Sequence, residues 1–94
     1  MSRLEKINQR ILDKDYYLSF RAEDEMLDDD LNRSDAENAI LQGDVVKIVT
    51  KDVRGSKYLI EGTAKDGRKI HVLCRYKENR SLIIITVYVV REGL

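Results

Sequence analysis

A chain of 94 residues, 43% hydrophobic and 36% charged, with no proline or tryptophan, is expected to form a single domain spanning 1–94. Its one cysteine and one histidine exclude an internal disulfide, a Cys/His zinc site and a histidine-rich metal cluster, because each needs ligands the chain lacks. No apolar run approaches the roughly 20 residues that cross a bilayer, and Ser2, Arg3, Glu5 and Lys6 stand where a secretory leader would begin. A cytoplasmic protein with no membrane segment is expected.

The 17 Lys and Arg residues balance 17 Asp and Glu, but not locally. Residues 1–43 hold eleven acids and six bases, a balance of −5; residues 44–94 hold six acids and eleven bases, +5. The Debye length at physiological ionic strength is about 8 Å, so lobes farther apart than that keep their own fields. A basic second half can therefore face an anionic partner in spite of the neutral sum.

The first half carries helical spacing. Ser2 with Glu5 fits a capping box, and Leu4, Ile7, Ile11 and Leu12 form one apolar stripe, which predicts a helix over about 3–14. Ser19 caps a second helix through Phe20, Ala22, Met26, Leu27 and Leu31, with acids crowding its C-terminal half, where the helix dipole disfavours them. Ser34 with Glu37 predicts a third, short helix, closed by Gly43 in a left-handed conformation.

After Gly43 the apolar pattern shortens to strand spacing. Strands are expected near 44–50, 57–63, 68–76 and 82–90, joined by Lys51 to Ser56, Lys65-Asp66-Gly67 and Tyr76 to Ser81. The fold class is therefore α+β: a helical layer (1–43) of two or three helices packed on one face of a four-stranded antiparallel meander (44–94), the other face open. The almost unbroken apolar run of the last strand calls for a place covered on both faces, or a partner over it.

Alternation in the third strand puts Lys69, His71, Leu73 and Arg75 on the open face and Ile70, Val72 and Cys74 on the helical one. A neighbouring strand adds Lys57 or Tyr88 beside them, according to register. An imidazole or phenol among guanidinium and ammonium groups is the kit for metal-free RNA cleavage: one group moves a proton while the cations hold phosphate. An ordinary half-exposed strand histidine is the plainer reading of the same residue. Cys74 lies on the face opposite His71, so it reads as a buried apolar residue and not as a nucleophile. The acids between Glu23 and Asp30 can be a cation site, a solvated face or a docking surface for a basic partner, with Asp28 and Asp29 as its centre. Gly62 to Gly67 lacks the ending of a phosphate-binding loop, and no metal or cofactor is called for.

Tyr17-Leu18-Ser19-Phe20-Arg21-Ala22-Glu23-Asp24-Glu25-Met26, then Ala39-Ile40-Leu41-Gln42-Gly43, Tyr58-Leu59-Ile60-Glu61-Gly62, Asp66-Gly67-Arg68, Ile70-His71-Val72 and Ile85-Thr86-Val87-Tyr88 together resemble the bacterial domain-of-unknown-function family 4258, over about residues 16–90. The resemblance implies a RelE-like fold, similar to colicin-type ribonuclease toxins, and a YgiT-like or MqsA-like zinc-ribbon antitoxin as partner. The family commonly has a histidine before the alanine that is Ala22; here Arg21 stands there. A guanidinium stays protonated at any working pH, so Arg21 can bind phosphate but cannot shuttle a proton.

The expected function is the toxin-like component of a type II toxin–antitoxin pair: a metal-independent endoribonuclease, or a binder of RNA at the ribosome. His71 and Tyr88 are the acid/base candidates, and Arg21, Lys57 and Arg75 the phosphate-binding ones. The alternatives are a non-catalytic interaction module that docks a partner through Asp28 and Asp29, and a structural homodimer.

Overall fold

A computed structural model describes residues 2–50, 53 and 55–91. Three helices, α1 (Arg3–Leu12), α2 (Phe20–Asp28) and α3 (Arg33–Gln42), alternate with or precede five strands, β1 (Tyr16–Leu18), β2 (Asp44–Val49), β3 (Lys57–Thr63), β4 (Lys69–Tyr76) and β5 (Leu82–Val89). The sheet runs in the order β1-β5-β4-β3-β2. The α+β class and the meander of the second half stand, but the sheet is five-stranded and mixed where four antiparallel strands were expected. The addition is β1, which pairs parallel to β5 with Tyr16 opposite Leu82 and Leu18 opposite Ile84. Three residues between two helices show no periodicity of their own, and their partner lies at the far end of the chain.

The capping box of α1 is formed, with the Glu5 N–H donating to Ser2 Oγ at 3.1 Å. Ile7 and Ile11 are fully buried, and Lys14, at φ 58°, turns the chain out of the helix two residues sooner than the stripe predicted. Ser19 caps α2, receiving the Ala22 N–H at 3.0 Å while its own hydroxyl donates to the Ile85 carbonyl at 2.7 Å. The start of α2 is thereby tied to β5.

The cap of α3 is Asn32 with Asp35, two residues ahead of the expected Ser34 and Glu37. Asp35 wins because its carboxylate serves two sites, accepting the Asn32 N–H and, from the β3–β4 turn, the Lys65 N–H, each at 2.9 Å. Glu37 is engaged elsewhere, by Lys14 Nζ at 2.7 Å and the Tyr16 hydroxyl. Gly43 is not left-handed as predicted. It is extended (φ −97°, ψ −173°), and what demands glycine is crowding, since a Cβ would press into the Ala39 and Glu61 carbonyls.

One sheet face buries Ile60, Ile70, Val72, Cys74, Leu82, Ile84 and Val87 against Ile7, Ile11, Met26, Ala36, Ala39 and Ile40 of the helices. β5 lies between β1 and β4; its helical face is buried at Leu82, Ile84 and Val87, while Ile83 and Ile85 are half-buried. A bulge opposite Leu73 and Cys74 leaves Ile85 unpaired, and Thr86 is buried with its hydroxyl donating to Glu25. The Asp66-Gly67 turn forms as predicted, with Gly67 at φ 92°. The Lys51-to-Ser56 connection lies largely outside the described residues. No helix among the described residues is long and apolar enough to cross a membrane.

Candidate functional site

β3, β4 and β5 run side by side in a register that sets Glu61 opposite His71 and His71 opposite Tyr88. All three side chains rise from the face that no helix covers. They make one hydrogen-bonded row across three strands: His71 Nε2 lies 2.9 Å from Glu61 Oε2, and His71 Nδ1 lies 3.0 Å from the Tyr88 hydroxyl. The imidazole and phenol rings meet edge to face, with centroids 5.4 Å apart.

The row has a defined polarity. A carboxylate can only accept, so Nε2 carries a hydrogen for Glu61, and in the neutral ring Nδ1 is then the acceptor for the Tyr88 O–H. The bond from His71 holds the Glu61 carboxyl below its ordinary range, with Lys69 adding to the effect and partial desolvation opposing it. A carboxylate that orients a histidine, which in turn contacts a hydroxyl, is the general arrangement of nucleophile, base and orienting group. Here it sits on a half-open surface and can accept or deliver a proton at the Tyr88 end.

Alternation therefore placed His71 on the face opposite the core, as found, and the register sets Tyr88 opposite it. Sequence reasoning missed Glu61. Its only signal was a period-2 match, since Leu59 and Glu61 share a face, and the decisive fact is cross-strand register, which a single chain does not display. Arg75 shares the face but lies four residues along β4, about 13 Å from His71 at ~3.3 Å per residue. It lines an open groove of about 530 Å³ with Val53, Lys77, Glu78 and Asn79, and Lys77 Nζ stands 4.5 Å above the Tyr17 ring. Arg75 thus addresses a different point on a ligand from His71. Lys57 pairs with Val49 at the β2 side of the sheet.

Arg21 is well exposed on α2 and reaches only toward Glu25, at 3.8 Å; it belongs to the helical layer and not to the His71 row. Asp28 and Asp29 part company. Asp28 is exposed, whereas Asp29 accepts the Val89 N–H at 3.0 Å and pairs with Arg91 at 3.1 Å. Among the described residues, no group of three or more His, Cys, Asp or Glu side chains is placed to hold a metal ion. Cys74 is buried, and burial pushes its thiol up to about 12, as befits a core residue.

The division into an acidic helical layer and a basic sheet is also redrawn. The cations of α1, namely Arg3, Lys6 and Arg10, gather with Arg80 at the end of the sheet where β3 begins and β4 ends, on the helical side. The acids concentrate instead on α2. The helical layer is thus itself divided, basic along α1 and acidic along α2.

Fold and site together define a small α+β domain with a hydrogen-bonded row of side chains on the open face of a mixed sheet. The chain belongs to the family described as Domain of unknown function (DUF4258), which it matches over residues 18–89. No curated protein and no solved structure matches it.

Proposed function

We propose that this protein is the toxin-like component of a type II toxin–antitoxin pair, with a RelE-like fold, acting as a metal-independent endoribonuclease. The observation that carries the reading is the Glu61–His71–Tyr88 row, which supplies a proton acceptor and a proton donor on an accessible surface. In the reaction it fits, the Tyr88 hydroxyl turns from His71 Nδ1 toward the leaving 5′-oxygen, and Nδ1 takes the proton of an RNA 2′-hydroxyl as that oxygen bonds to the adjacent phosphorus. The bond from phosphorus to the 5′-oxygen breaks, and Tyr88 gives its proton to that oxygen. The imidazolium then returns a proton to the tyrosinate, leaving a 2′,3′-cyclic phosphate, a 5′-hydroxyl and the side chains restored. Lys69 lies one pleat from His71 and places a cation beside the reacting phosphate, while Arg75, farther along β4, suits the next phosphate of the strand.

Expression in cells with growth and RNA integrity as readouts tests this directly. Wild type should arrest growth and fragment RNA, while His71→Ala and Tyr88→Phe should lose roughly 10²–10⁴ in cleavage rate. Absence of cleavage by the purified wild type, with growth unaffected, removes the enzymatic reading.

A docking role for α2 has its own support. Phe20 and Leu27, 88% and 79% exposed, stand seven residues apart on one face of α2, near the exposed Glu23, Asp24 and Asp28. An acidic surface with two apolar knobs suits a basic partner such as a zinc-ribbon antitoxin. Capture of that partner should fall with Asp28→Lys, and unchanged capture would count against α2.

A further inference from the structure

On the side of the sheet opposite His71, α1 and the ends of β3 and β4 enclose an open groove of about 680 Å³. Arg3, Lys6 and Arg10 come from α1, Arg80 from the β4–β5 turn, and Tyr58 and Tyr76 from the strands. Gln9 completes the lining, so four of the seven residues are basic and none is acidic, with Asp15 outside the groove 3.8 Å from Arg10 Nε. The two tyrosines pack edge to face at 6.3 Å. Arg3 lies over the Tyr58 ring at 5.7 Å and Arg10 over the Tyr76 ring at 5.9 Å. A guanidinium held over an aromatic ring is restricted before any ligand arrives. The Arg10 Nε–H is also fixed, donating to the Arg80 carbonyl at 2.8 Å.

We infer that this groove binds the phosphodiester backbone of single-stranded RNA. Three features point to a chain of phosphates and not to one isolated anion. The cations are spread along a helix at i, i+3 and i+7, so they follow a line. The groove is open, and no carboxylate lines it to compete with phosphate. The guanidinium groups held over Tyr58 and Tyr76 are planar cations against which bases can stack without being selected, as in sequence-tolerant single-strand sites. α1 lies outside the stretch matched to the family, so this half of the groove is contributed by segments beyond the common domain. The inference deepens the ribonuclease reading, because the groove would anchor a strand whose continuation crosses to the open face.

The test is fluorescence anisotropy of the full chain with an end-labelled, unstructured RNA 12-mer at two salt concentrations, run alongside a cleavage assay. Wild type should bind in a salt-sensitive way. Arg3→Glu/Lys6→Glu and, separately, Arg80→Glu should each weaken binding at least tenfold and flatten the salt dependence, by about 0.7 in log–log slope per lost phosphate contact. Lys65→Glu, an exposed reversal elsewhere, should leave binding unchanged, and circular dichroism melting verifies that every variant folds. Binding that is lost in the groove variants while wild type cleaves nothing upholds the groove and removes the ribonuclease. Cleavage with unchanged Kd and KM in both groove variants, or no RNA binding by wild type, overturns the groove.

Discussion

The backbone of Ala39 occupies the space that a side chain on Gly62 would need: a Cβ there would lie far inside contact distance of the Ala39 carbonyl oxygen and its neighbours. α3 rests directly on β3 at this point, and only the absence of a side chain allows it. Gly62 immediately follows Glu61, so the same contact fixes the height of the strand that orients His71.

Gly62→Ala should therefore destabilise the fold by about 1–3 kcal/mol, the usual cost of forcing an extra carbon into a packed interior. Urea denaturation should show a lower midpoint with the slope unchanged. An unchanged midpoint would mean that α3 can lift away freely.

Glu61 acts through His71, so its loss should be milder than loss of the proton carrier. Glu61→Gln is expected to lower kcat for RNA cleavage while leaving KM within about twofold, and Glu61→Asp should restore part of the rate. The roughly 10²–10⁴-fold loss expected at His71 sets the upper limit. A rise in KM without a fall in kcat would assign Glu61 to binding instead.

Asp29 and Asp28 should behave oppositely. Along β5 beyond the end of β1, the Val87 N–H donates to Glu25 at 3.3 Å and the Val89 N–H to Asp29 at 3.0 Å, so α2 supplies acceptors where a neighbouring strand would. Asp29→Ala strands an N–H group and should cost about 1–3 kcal/mol, with faster amide exchange at Val89. Asp28→Ala should change stability by less than about 0.5 kcal/mol, as surface substitutions do.

Acid should unfold the protein through carboxylates that the native state keeps ionised. Burial works against the charged form of Asp35, yet the Asn32 and Lys65 N–H groups prevail and hold it below 3.8. For Glu37, burial is likewise outweighed, by Lys14 and the Tyr16 hydroxyl, and the group stays below 4.5. Because the folded values lie under the unfolded ones, the stabilisation is complete above about pH 5 and is lost as pH falls through the depressed range. Asp35→Asn should cost about 1–2 kcal/mol at pH 7 and shrink the difference in stability between pH 7 and pH 3. An identical pH dependence in the variant would assign the acid transition to other groups.

The helices, the strands of the meander and the Asp66-Gly67 turn were legible because each is written in local periodicity and capping residues. β4 showed its two faces for the same reason, and so His71 was found. What stayed hidden depends on partners distant in the chain. Tyr16 to Leu18 become a strand only beside Leu82 to Ile84. Glu61 becomes part of the site only when β3 and β4 align, and Arg3, Lys6 and Arg10 become a basic surface only when α1 meets Tyr58 and Tyr76. The acids of α2 looked like a dipole penalty or a docking face until β5 showed two of them to be backbone acceptors.

The parallel pairing of β1 with β5 has a consequence in time. During synthesis, residues 16–18 emerge well before the strand they pair with, which is complete only after residue 84 has left the ribosome. Until then Ser19 and Glu25 lack their β5 partners, and the apolar sides of α1 and α2 have no finished sheet to cover. Closing contacts so far apart in the chain slows folding. The nascent chain thus carries β1 unpaired while residues 19–81 are made, and Glu61, His71 and Tyr88 can align only once β5 has followed.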